Sequence, residues 1–335
     1  MDGLYAKILE NYDIQVKNSR KTKGYYIITT DSASYQLRKT SDTKERIELR
    51  YALQENLLSN DFSNIEKIHK TLEGNLFVSL GDQKYILSDH IAGYEADFDN
   101  PAELTKIMSK LADFHQKTEG LGNISKQFYA ESLTASLAKM HKELSALRKK
   151  IASTKSLSNF DLLFLKNYDY YETNINRAIS LLERANYQKK LDLTFGKNSF
   201  AHNTLKKESL VIKDNEVYFS MLSGVCVDHF SADIAMIINK YMKYSAEQQI
   251  NITKIIDMYS DSSHTKIDTD DLKIILARLL LPSVFLKTAK EYYAKKRSWV
   301  PSELTSELES EVGLRAAFCE YIEPLVKICE INVDS

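Results

Sequence analysis

The residues best suited to chemistry lie in one segment, between Ser199 and Asp233. Two short apolar runs, Leu210–Ile212 and Val217–Met221, flank a polar turn there. Apolar runs of this length on either side of a turn predict a β-hairpin, with a loop before it and a helix after it. The side chains of this segment that could act as acids, bases or nucleophiles include His202, Cys226, Asp228, His229 and Asp233.

A nucleophilic enzyme of the serine or cysteine type is not indicated. The chain contains no Gly-x-Ser-x-Gly, which marks a serine nucleophile on a strand-to-helix turn. Its three cysteines, Cys226, Cys319 and Cys329, lack the spacing of a metal site, and an odd, unclustered set fits a reducing compartment. Cys226 and His229 are close in sequence, but that separation does not show that their side chains meet. We expect Cys226 to serve packing.

The order and spacing of this segment resemble the catalytic centre of small-molecule kinases of the aminoglycoside phosphotransferase and choline kinase type. In that superfamily a loop His-Gly-Asp-x-x-x-x-Asn leads into a hairpin whose second strand ends Ile-Asp-Phe-Asp, and Arg-Asp-Leu-Ala follows. His202 takes the position of the loop histidine and Asp233 that of the late aspartate. The resemblance implies an α+β, bilobed protein-kinase-like fold, with a small β-rich N-terminal lobe and a large, mostly helical C-terminal lobe.

The groups that would perform kinase chemistry are replaced. Thr204 stands at the position of the catalytic aspartate, Ser209 at that of the metal-binding asparagine, and Met221 and Ser223 at those of the two strand aspartates. Phosphoryl transfer depends on positioning and on metal ions that bridge the phosphate oxygens. Hydroxyls are poor magnesium ligands beside carboxylates, and methionine offers no oxygen. We therefore expect no catalytic residue, no metal site and no cofactor.

Three residues of the frame remain: His202, Asp228 and Asp233. The resemblance implies scaffold roles for them, because in active relatives the loop histidine and the late aspartate brace the catalytic loop. We expect Asp233 to accept backbone N–H bonds near His202. Breaking a satisfied buried network of this kind costs roughly 1–3 kcal/mol for each orphaned group.

A second resemblance to these kinases lies in a strand of the small lobe, Tyr35-Gln36-Leu37-Arg38. In the superfamily the equivalent strand carries a lysine that holds the nucleotide phosphates, so Arg38 is a candidate nucleotide-binding residue. It could equally be an ordinary exposed strand residue. Three glutamates of the next predicted helix are candidates to pair with Arg38, and the sequence does not choose among them: Glu45, Glu48 and Glu55.

Composition limits the possible partners and location. Among 335 residues, 45 basic and 46 acidic side chains give a net charge of −1, so there is no general basic field to attract nucleic acid. The low content of glycine (10) and proline (4) favours long helices and argues against a glycine-rich nucleotide loop. The first ten residues lack the apolar core of a secretion signal, and no apolar run is long enough to span a membrane.

The predicted elements divide the chain at a hinge. Residues 1–90 read as the β-rich lobe, with two hairpins and one helix at Lys44–Leu58, and residues 91–335 read as the helical lobe that carries the segment 199–233. Gly93 lies in the hinge, where it would permit a bend. His115 lies in a Leu-Ala-x-Phe-His motif of this superfamily and is expected to be a buried structural residue. Pro282 should kink or divide a late helix.

Several segments together resemble the CotS-type spore coat branch of this superfamily. They include Ile91-Ala92-Gly93-Tyr94-Glu95 at the hinge, the Leu-Ala-x-Phe-His helix, and Asp228-His229 before Asp233. The resemblance covers nearly the whole chain. It implies a protein made in the mother-cell cytoplasm of a sporulating Firmicute, without a signal peptide, and laid onto the spore coat among other coat proteins. The branch includes members with degraded active sites.

Three functions follow from these observations. The first is a non-catalytic, pseudokinase-like structural or assembly component of the spore coat. The second is an active ATP- and magnesium-dependent small-molecule kinase with relocated ligands, in which Glu208 or Asp214 would supply a carboxylate and His202 a base. The third is a module that binds a nucleotide or another anion without metal, using Arg38.

Overall fold

The computed structural model describes residues 3–22, 24–245, 250–264, 266–294 and 301–331. The helices that it contains are α1 (Gly3–Leu9), α2 (Lys44–Ser59), α3 (Pro101–Lys117), α4 (Leu133–Ala152), α5 (Asn159–Arg184), α6 (Tyr187–Lys197), α7 (Ser231–Tyr244), α8 (Ile252–Ser260), α9 (Thr269–Leu279), α10 (Ser283–Ala294), α11 (Pro301–Gly313) and α12 (Arg315–Ile331). The strands are β1 (Asn18–Lys21), β2 (Tyr25–Thr29), β3 (Ser34–Thr40), β4 (Val78–Leu80), β5 (Gln83–Asp89), β6 (Tyr94–Glu95), β7 (Phe200–Ala201), β8 (Leu210–Lys213), β9 (Glu216–Phe219) and β10 (Cys226–Val227). No helix within the described ranges is long and apolar enough to cross a bilayer.

The small lobe is a five-stranded antiparallel sheet in the order β1-β2-β3-β5-β4. Because side chains alternate between the two faces of a strand, the sheet has two different packing surfaces. Leu37 and Leu87 face one side, where α1 covers them with Ile8. Ile86 faces the other side and packs with Ile47 of α2. The sheet therefore lies between two helices.

Helix α2 belongs to the cores of both lobes. Thr43 caps its N-terminus, its side chain accepting the N–H of Arg46. Ile47 packs under the sheet, whereas Leu53 and Leu57 are part of the large hydrophobic core that fills the C-terminal lobe. A single helix with apolar residues on two sides thus connects the two lobes by packing.

The large lobe is built from helices around two short sheets. Helix α3 begins at Pro101 with Asn100 as its cap, and α5 begins with a capping box formed by Ser158 and Asp161. Strands β8 and β9 form the predicted hairpin, which β6 extends to three strands, and β7 pairs with β10. Pro282 lies between α9 and α10, as predicted. Strands β6, β7 and β10 were not predicted, because two-residue strands have no detectable periodicity in the sequence.

Gly93 has a different role from the one that the sequence suggested. Its φ angle is not in the left-handed region, so the bend itself does not require glycine. A Cβ at this position would overlap the carbonyl oxygen of Ile212 and lie 2.7 Å from Cγ1 of Val211. Glycine is needed because the hinge passes directly against β8, where Tyr94 then pairs with Ile212.

The close approach at the hinge predicts the effect of a small side chain. Gly93→Ala should lower the free energy of unfolding by about 1–3 kcal/mol, because the methyl group forces the hinge away from β8. Chemical denaturation with urea measures this value. Gly122→Ala is the matched control, since a Cβ there meets nothing within 4 Å, and it should change stability by less than about 0.5 kcal/mol. Equal effects of the two substitutions would contradict the packing argument.

Candidate functional site

Asp233 is the centre of the site. It lies in the first turn of α7 and is fully buried. Its carboxylate accepts the backbone N–H of His202 at 2.6 Å and that of Asn203 at 2.8 Å, and it bonds Nε2 of His115 at 2.9 Å. Burial by itself raises the pKa of Asp233. The hydrogen bond and charge of His115, together with the N–H of Asn203, lower it more strongly, so the pKa of Asp233 lies below its ordinary value. The carboxylate is thus a charged anchor for the loop.

His115 connects this anchor to the rest of the helical lobe. It lies near the end of α3, is 7% exposed, and bonds the hydroxyl of Tyr259 on α8 through Nδ1 at 2.8 Å. The four elements that meet here are therefore α3, α7, α8 and the loop of residues 202–209, which we call the histidine loop. The contact between Asp233 and the N–H groups near His202 is the one that the sequence analysis expected.

His202 is enclosed and cannot contact a substrate. It has no exposed surface, Nδ1 lies 3.3 Å from the hydroxyl of Thr204, and Nε2 has no hydrogen-bond partner. Burial lowers the pKa of His202, and the neighbouring Asp233 carboxylate opposes this only in part. The imidazole is therefore neutral, but it is sterically shielded, and a side chain without access to a substrate does not fit the role of a catalytic base.

The hydroxyls of the histidine loop are used inside the loop. Thr204, at the position of the catalytic aspartate, lies 3.3 Å from the carbonyl oxygen of His202 and 3.4 Å from that of Met221. Ser209 is fully buried; it accepts the N–H of Lys206 at 2.8 Å and donates to the carbonyl of the same residue at 2.7 Å. Both hydroxyls thus bond backbone groups of their own loop or of the residue Met221.

The segment Met221–Gly224, which we call the Met221 turn, packs directly onto Thr204. Met221 has a left-handed backbone with φ 61° and ψ 51°, and a short 3-10 turn containing Ser223 follows it. A Cβ at Gly224 would overlap the Thr204 side chain, whose Oγ1 would lie at 2.8 Å and Cβ at 2.9 Å. The turn therefore occupies the space beside Thr204 and leaves no room there for a larger group.

Glu66 is a site residue that the sequence analysis missed. It lies in the linker after α2, is 6% exposed, and accepts the hydroxyl of Ser88 at 2.6 Å and the N–H of Met221 at 3.0 Å. Its backbone N–H also donates to the carbonyl of Phe219 at 2.9 Å. One carboxylate thus ties the small-lobe sheet to the Met221 turn. Glu66 stands in no recognised motif, so its sequence context carried no signal.

Arg46 makes a second contact between the lobes at the same turn. Its guanidinium donates to the carbonyl oxygen of Val225 at 2.6 Å and lies 4.8 Å from the centre of the Phe128 ring. Arg46 is on α2, so the helix of the small lobe holds the end of the Met221 turn.

Arg38 does not make the expected ion pair. Its guanidinium donates to Oε1 of Gln36 at 3.0 Å and lies 4.9 Å from the centre of the Tyr25 ring, while Nε is buried without a partner. The three candidate glutamates are directed elsewhere: Glu48 pairs with Lys44, Glu55 accepts from Gln54, and Glu45 is exposed. The expectation of a glutamate partner is wrong. The guanidinium bonds Gln36 instead, which lies two residues away on the same strand.

Asp228 belongs to a separate buried network. It accepts from the guanidinium of Arg278 at 2.7 Å and from the N–H of His229 at 2.7 Å. Arg278 also donates to Ser231, whose hydroxyl lies 2.8 Å from Nδ1 of His229, and His229 faces Asp271 at 3.3 Å. The structure brings His202 and Asp233 together but places Asp228 beside α9 instead. Arg278 is far away in sequence, so no local pattern indicated it.

Cys226 does not pair with His229. Its sulphur accepts from the side-chain amide of Asn203 at 3.3 Å, and burial raises the pKa of its thiol to about 12. The thiol is therefore protonated at neutral pH and is a poor nucleophile.

The carboxylates suggested as relocated metal ligands do not converge. Glu208 is exposed, and Asp214 lies at the tip of the β8–β9 hairpin with φ 51°, at the opposite end of the hairpin from the Met221 turn. Strand β9 alone, from Glu216 to Phe219, separates the two ends of the hairpin by roughly 10 Å at about 3.3 Å per residue. Over the ranges that the structure describes, no three His, Cys, Asp or Glu side chains are grouped so as to hold a metal ion.

The buried anchor predicts a large cost for removing its charge. Asp233→Asn should lower the free energy of unfolding by about 3 kcal/mol, because the amide leaves one of three donors without an acceptor and removes a paired buried charge. Thermal and urea denaturation at pH 7 measure the loss. Asp214→Asn is the matched control, since asparagine tolerates the left-handed turn conformation, and it should be nearly neutral. Near-neutrality of Asp233→Asn would show that the anchor is not needed.

The buried imidazoles predict how stability changes with pH. Burial lowers the pKa of His202. Burial also lowers the pKa of His229, although the hydrogen bond and charge of Asp271 oppose this shift. Below about pH 6.5 the unfolded chain binds protons at these residues while the folded chain does not. The free energy of unfolding should therefore fall as the pH is lowered from 7 to 5. Each of the two histidines contributes up to about 1.4 kcal/mol for each pH unit. Urea denaturation across this range gives the slope. His229→Gln should reduce it and the half-exposed His141→Gln should not; identical slopes in all three proteins would refute the argument.

The comparison with protein families identifies a spore coat family. Residues 5–317 match the family model described as "Spore coat putative kinase YutH". The chain is also 20% identical over 344 residues to "Spore coat protein S" of Bacillus subtilis (strain 168), covering 98% of this chain and 95% of that protein. These findings confirm the resemblance to the CotS-type branch.

Solved structures show the same fold at low sequence identity. An aminoglycoside phosphotransferase from Alicyclobacillus acidocaldarius subsp. acidocaldarius DSM 446 is similar with a TM-score of 0.81 and 13% identity, covering 96% of each chain. A choline kinase from Cryptosporidium parvum Iowa II is similar with a TM-score of 0.54 and 11% identity, covering 98% of this chain and 95% of the kinase. The predicted bilobed α+β kinase-like fold is confirmed. The chain belongs to the YutH family of spore coat proteins and has the fold of aminoglycoside phosphotransferases and choline kinases.

Proposed function

We propose that this chain is a non-catalytic structural or assembly component of the spore coat, with a kinase fold that performs no phosphoryl transfer. Membership of the spore coat family supports the coat role, and the relative from Bacillus subtilis bears the name of a coat protein. The structural neighbours are named as kinases, so the absence of catalysis must be argued from this chain's own residues.

The observation that carries the proposal is the contact between Thr204 and the Met221 turn. In an active member of this superfamily this space lies between the catalytic base and the metal ligands. Here a Cβ at Gly224 would overlap Thr204, and the hydroxyls of Thr204 and Ser209 bond the backbone of their own loop and turn. The residues present therefore do not fit a magnesium–nucleotide complex at this position.

The electrostatics of the cleft support the same conclusion. Magnesium requires oxygen ligands, with carboxylates preferred, in near-octahedral geometry. Glu66 bonds the Met221 turn directly, and both of its carboxylate oxygens are engaged, by Ser88 and by the N–H of Met221. Asp233 is engaged by three donors. Neither carboxylate can bind a metal ion without giving up bonds that hold the site together.

A metal-independent nucleotide or anion site is the second candidate. It is favoured by Arg38, whose Nε is buried without a partner on the face of the sheet that carries Ile86 and packs against α2. A guanidinium in this position could donate to a phosphate oxygen without a metal ion. This candidate differs from the first only in retaining a ligand, and both exclude phosphoryl transfer.

A phosphotransfer assay tests the proposal. The purified chain, incubated with ATP, magnesium and either an aminoglycoside or choline, should release no ADP above the protein-free background, because no side chain in the cleft can activate the acceptor or hold the metal ion. A catalytically active aminoglycoside phosphotransferase assayed in parallel is the positive control. In sporulating cells, a fluorescent fusion of Thr204→Val should assemble on the spore coat like the unaltered chain.

Two results would contradict the proposal. One is magnesium-dependent ADP release that disappears in Thr204→Val, since that would place a catalytic role on the Thr204 hydroxyl. The other is failure of an otherwise stable Thr204→Val fusion to reach the coat. A thermal-shift titration separates the second candidate: ATP without magnesium at 100 times its dissociation constant would stabilise the chain by about 2.7 kcal/mol, and Arg38→Gln would remove that effect.

A further inference from the structure

A cavity of about 340 Å³ lies at the back of the hinge, where the two lobes meet. It is lined by the β2–β3 turn at residues 32–34, by the linker after α2, by the hinge at residues 89–91, and by Lys213 and Tyr218 of the β8–β9 hairpin. Its lining includes neither Arg38 nor any residue of the histidine loop or the Met221 turn. It is therefore separate from the cleft discussed above.

Backbone hydrogen bonds hold the walls of this cavity in place. The N–H of His90 donates to the carbonyl of Ser34 at 2.9 Å, and the N–H of Asp89 donates to that of Lys67 at 2.9 Å. On the side of the hairpin, the backbone of Phe219 makes two hydrogen bonds to the linker. Its N–H donates to the carbonyl of Asn64 at 2.9 Å, and its carbonyl accepts the N–H of Glu66 at 2.9 Å. The walls come from both lobes and are fixed before any ligand binds.

Two lysines face this cavity from opposite lobes. Lys67 comes from the linker of the small lobe and Lys213 from β8 of the large lobe, and neither has an ion pair within the described part of the chain. Lys213 lies 6.0 Å from the centre of the Tyr218 ring. Glu216, its cross-strand neighbour, is paired with Lys110 at 3.0 Å instead. Neither ammonium group therefore forms an ion pair with a carboxylate among the described residues.

The remaining polar groups of the lining are mostly donors. The hydroxyls of Ser32, Ser34, Ser63 and Tyr218 have no hydrogen-bond partner among the described residues. Asp89 is the carboxylate of the lining, and Nε2 of His69 holds it at 2.6 Å. The cavity therefore offers cationic and hydroxyl donors on several sides, with its single acidic group already engaged.

We propose that this cavity binds a phosphate group, either as inorganic phosphate or as the terminal phosphate of a small organic ester. A phosphate monoester carries a charge of about −1.5 to −2 at pH 7 and three acceptor oxygens. Two lysines match that charge, since lysine binds phosphate as a point charge, and the hydroxyls can donate to the oxygens. The bound anion joins Lys67 to Lys213 and so holds the two lobes together at the hinge.

Calorimetric titration of the full chain with inorganic phosphate tests this proposal, at an ionic strength held constant with chloride. We expect saturable binding in the millimolar range or tighter. Lys67→Gln and Lys213→Gln should each raise the dissociation constant by about tenfold or more, since each removes one charge-assisted contact. The control, Lys39→Gln with Lys189→Gln, removes two exposed lysines elsewhere and should bind phosphate like the unaltered chain. Melting temperatures without phosphate establish that all variants are folded.

Lysine modification followed by mass spectrometry gives an independent readout. Phosphate should slow acetylation of Lys67 and Lys213 and leave that of Lys189 unchanged. A parallel titration with glycerol 1-phosphate separates the two sources: tighter binding than inorganic phosphate assigns the site to an ester, and equal or weaker binding assigns it to the free anion. Absence of saturable binding by either probe, or binding that survives both lysine substitutions, would overturn the proposal.

Discussion

The structure of the site depends on one buried carboxylate, that of Asp233. A charge without solvent is costly unless it is fully paired, and Asp233 is paired by two backbone N–H groups and an imidazole. Those two N–H groups belong to the start of the histidine loop, so the loop can take only the conformation that satisfies the charge. The contact between Asp233 and the histidine loop thereby keeps the loop in a kinase-like geometry. It does so whether or not the loop carries catalytic groups.

The second constraint is the junction of the two lobes at the Met221 turn. Glu66 bonds the N–H of Met221 from one side and Arg46 bonds the carbonyl of Val225 from the other. Between them, Gly224 lies against Thr204 with no space for a side chain. In this chain, side chains and backbone fill the space between Thr204 and the Met221 turn. The junction therefore packs the histidine loop against the turn and holds the turn against the small lobe.

The kinase-like fold suits the structural role that we propose for this chain in the coat. The helical lobe has a continuous hydrophobic core that includes part of α2, so the two lobes behave as one packed unit. A rigid, bilobed body offers surfaces and junctions between lobes for binding other molecules without needing to open and close during a reaction cycle. The proposed phosphate site at the hinge would strengthen that rigidity, because its lysines come from both lobes.

The sequence by itself determined the fold family, the hairpin and the loop that precedes it, and it predicted the loss of the metal ligands. These features depend on residue order and local periodicity, which are visible without a structure. It also indicated the bond between Asp233 and the loop, since the resemblance supplied both positions. It did not indicate Glu66, Arg46 or Arg278, and it offered Arg38 three candidate glutamates, whereas the structure pairs Arg38 with Gln36 on its own strand. The contacts of Glu66, Arg46 and Arg278 join residues that tertiary packing alone brings together, and a charged side chain bonds whichever partner the fold places within reach.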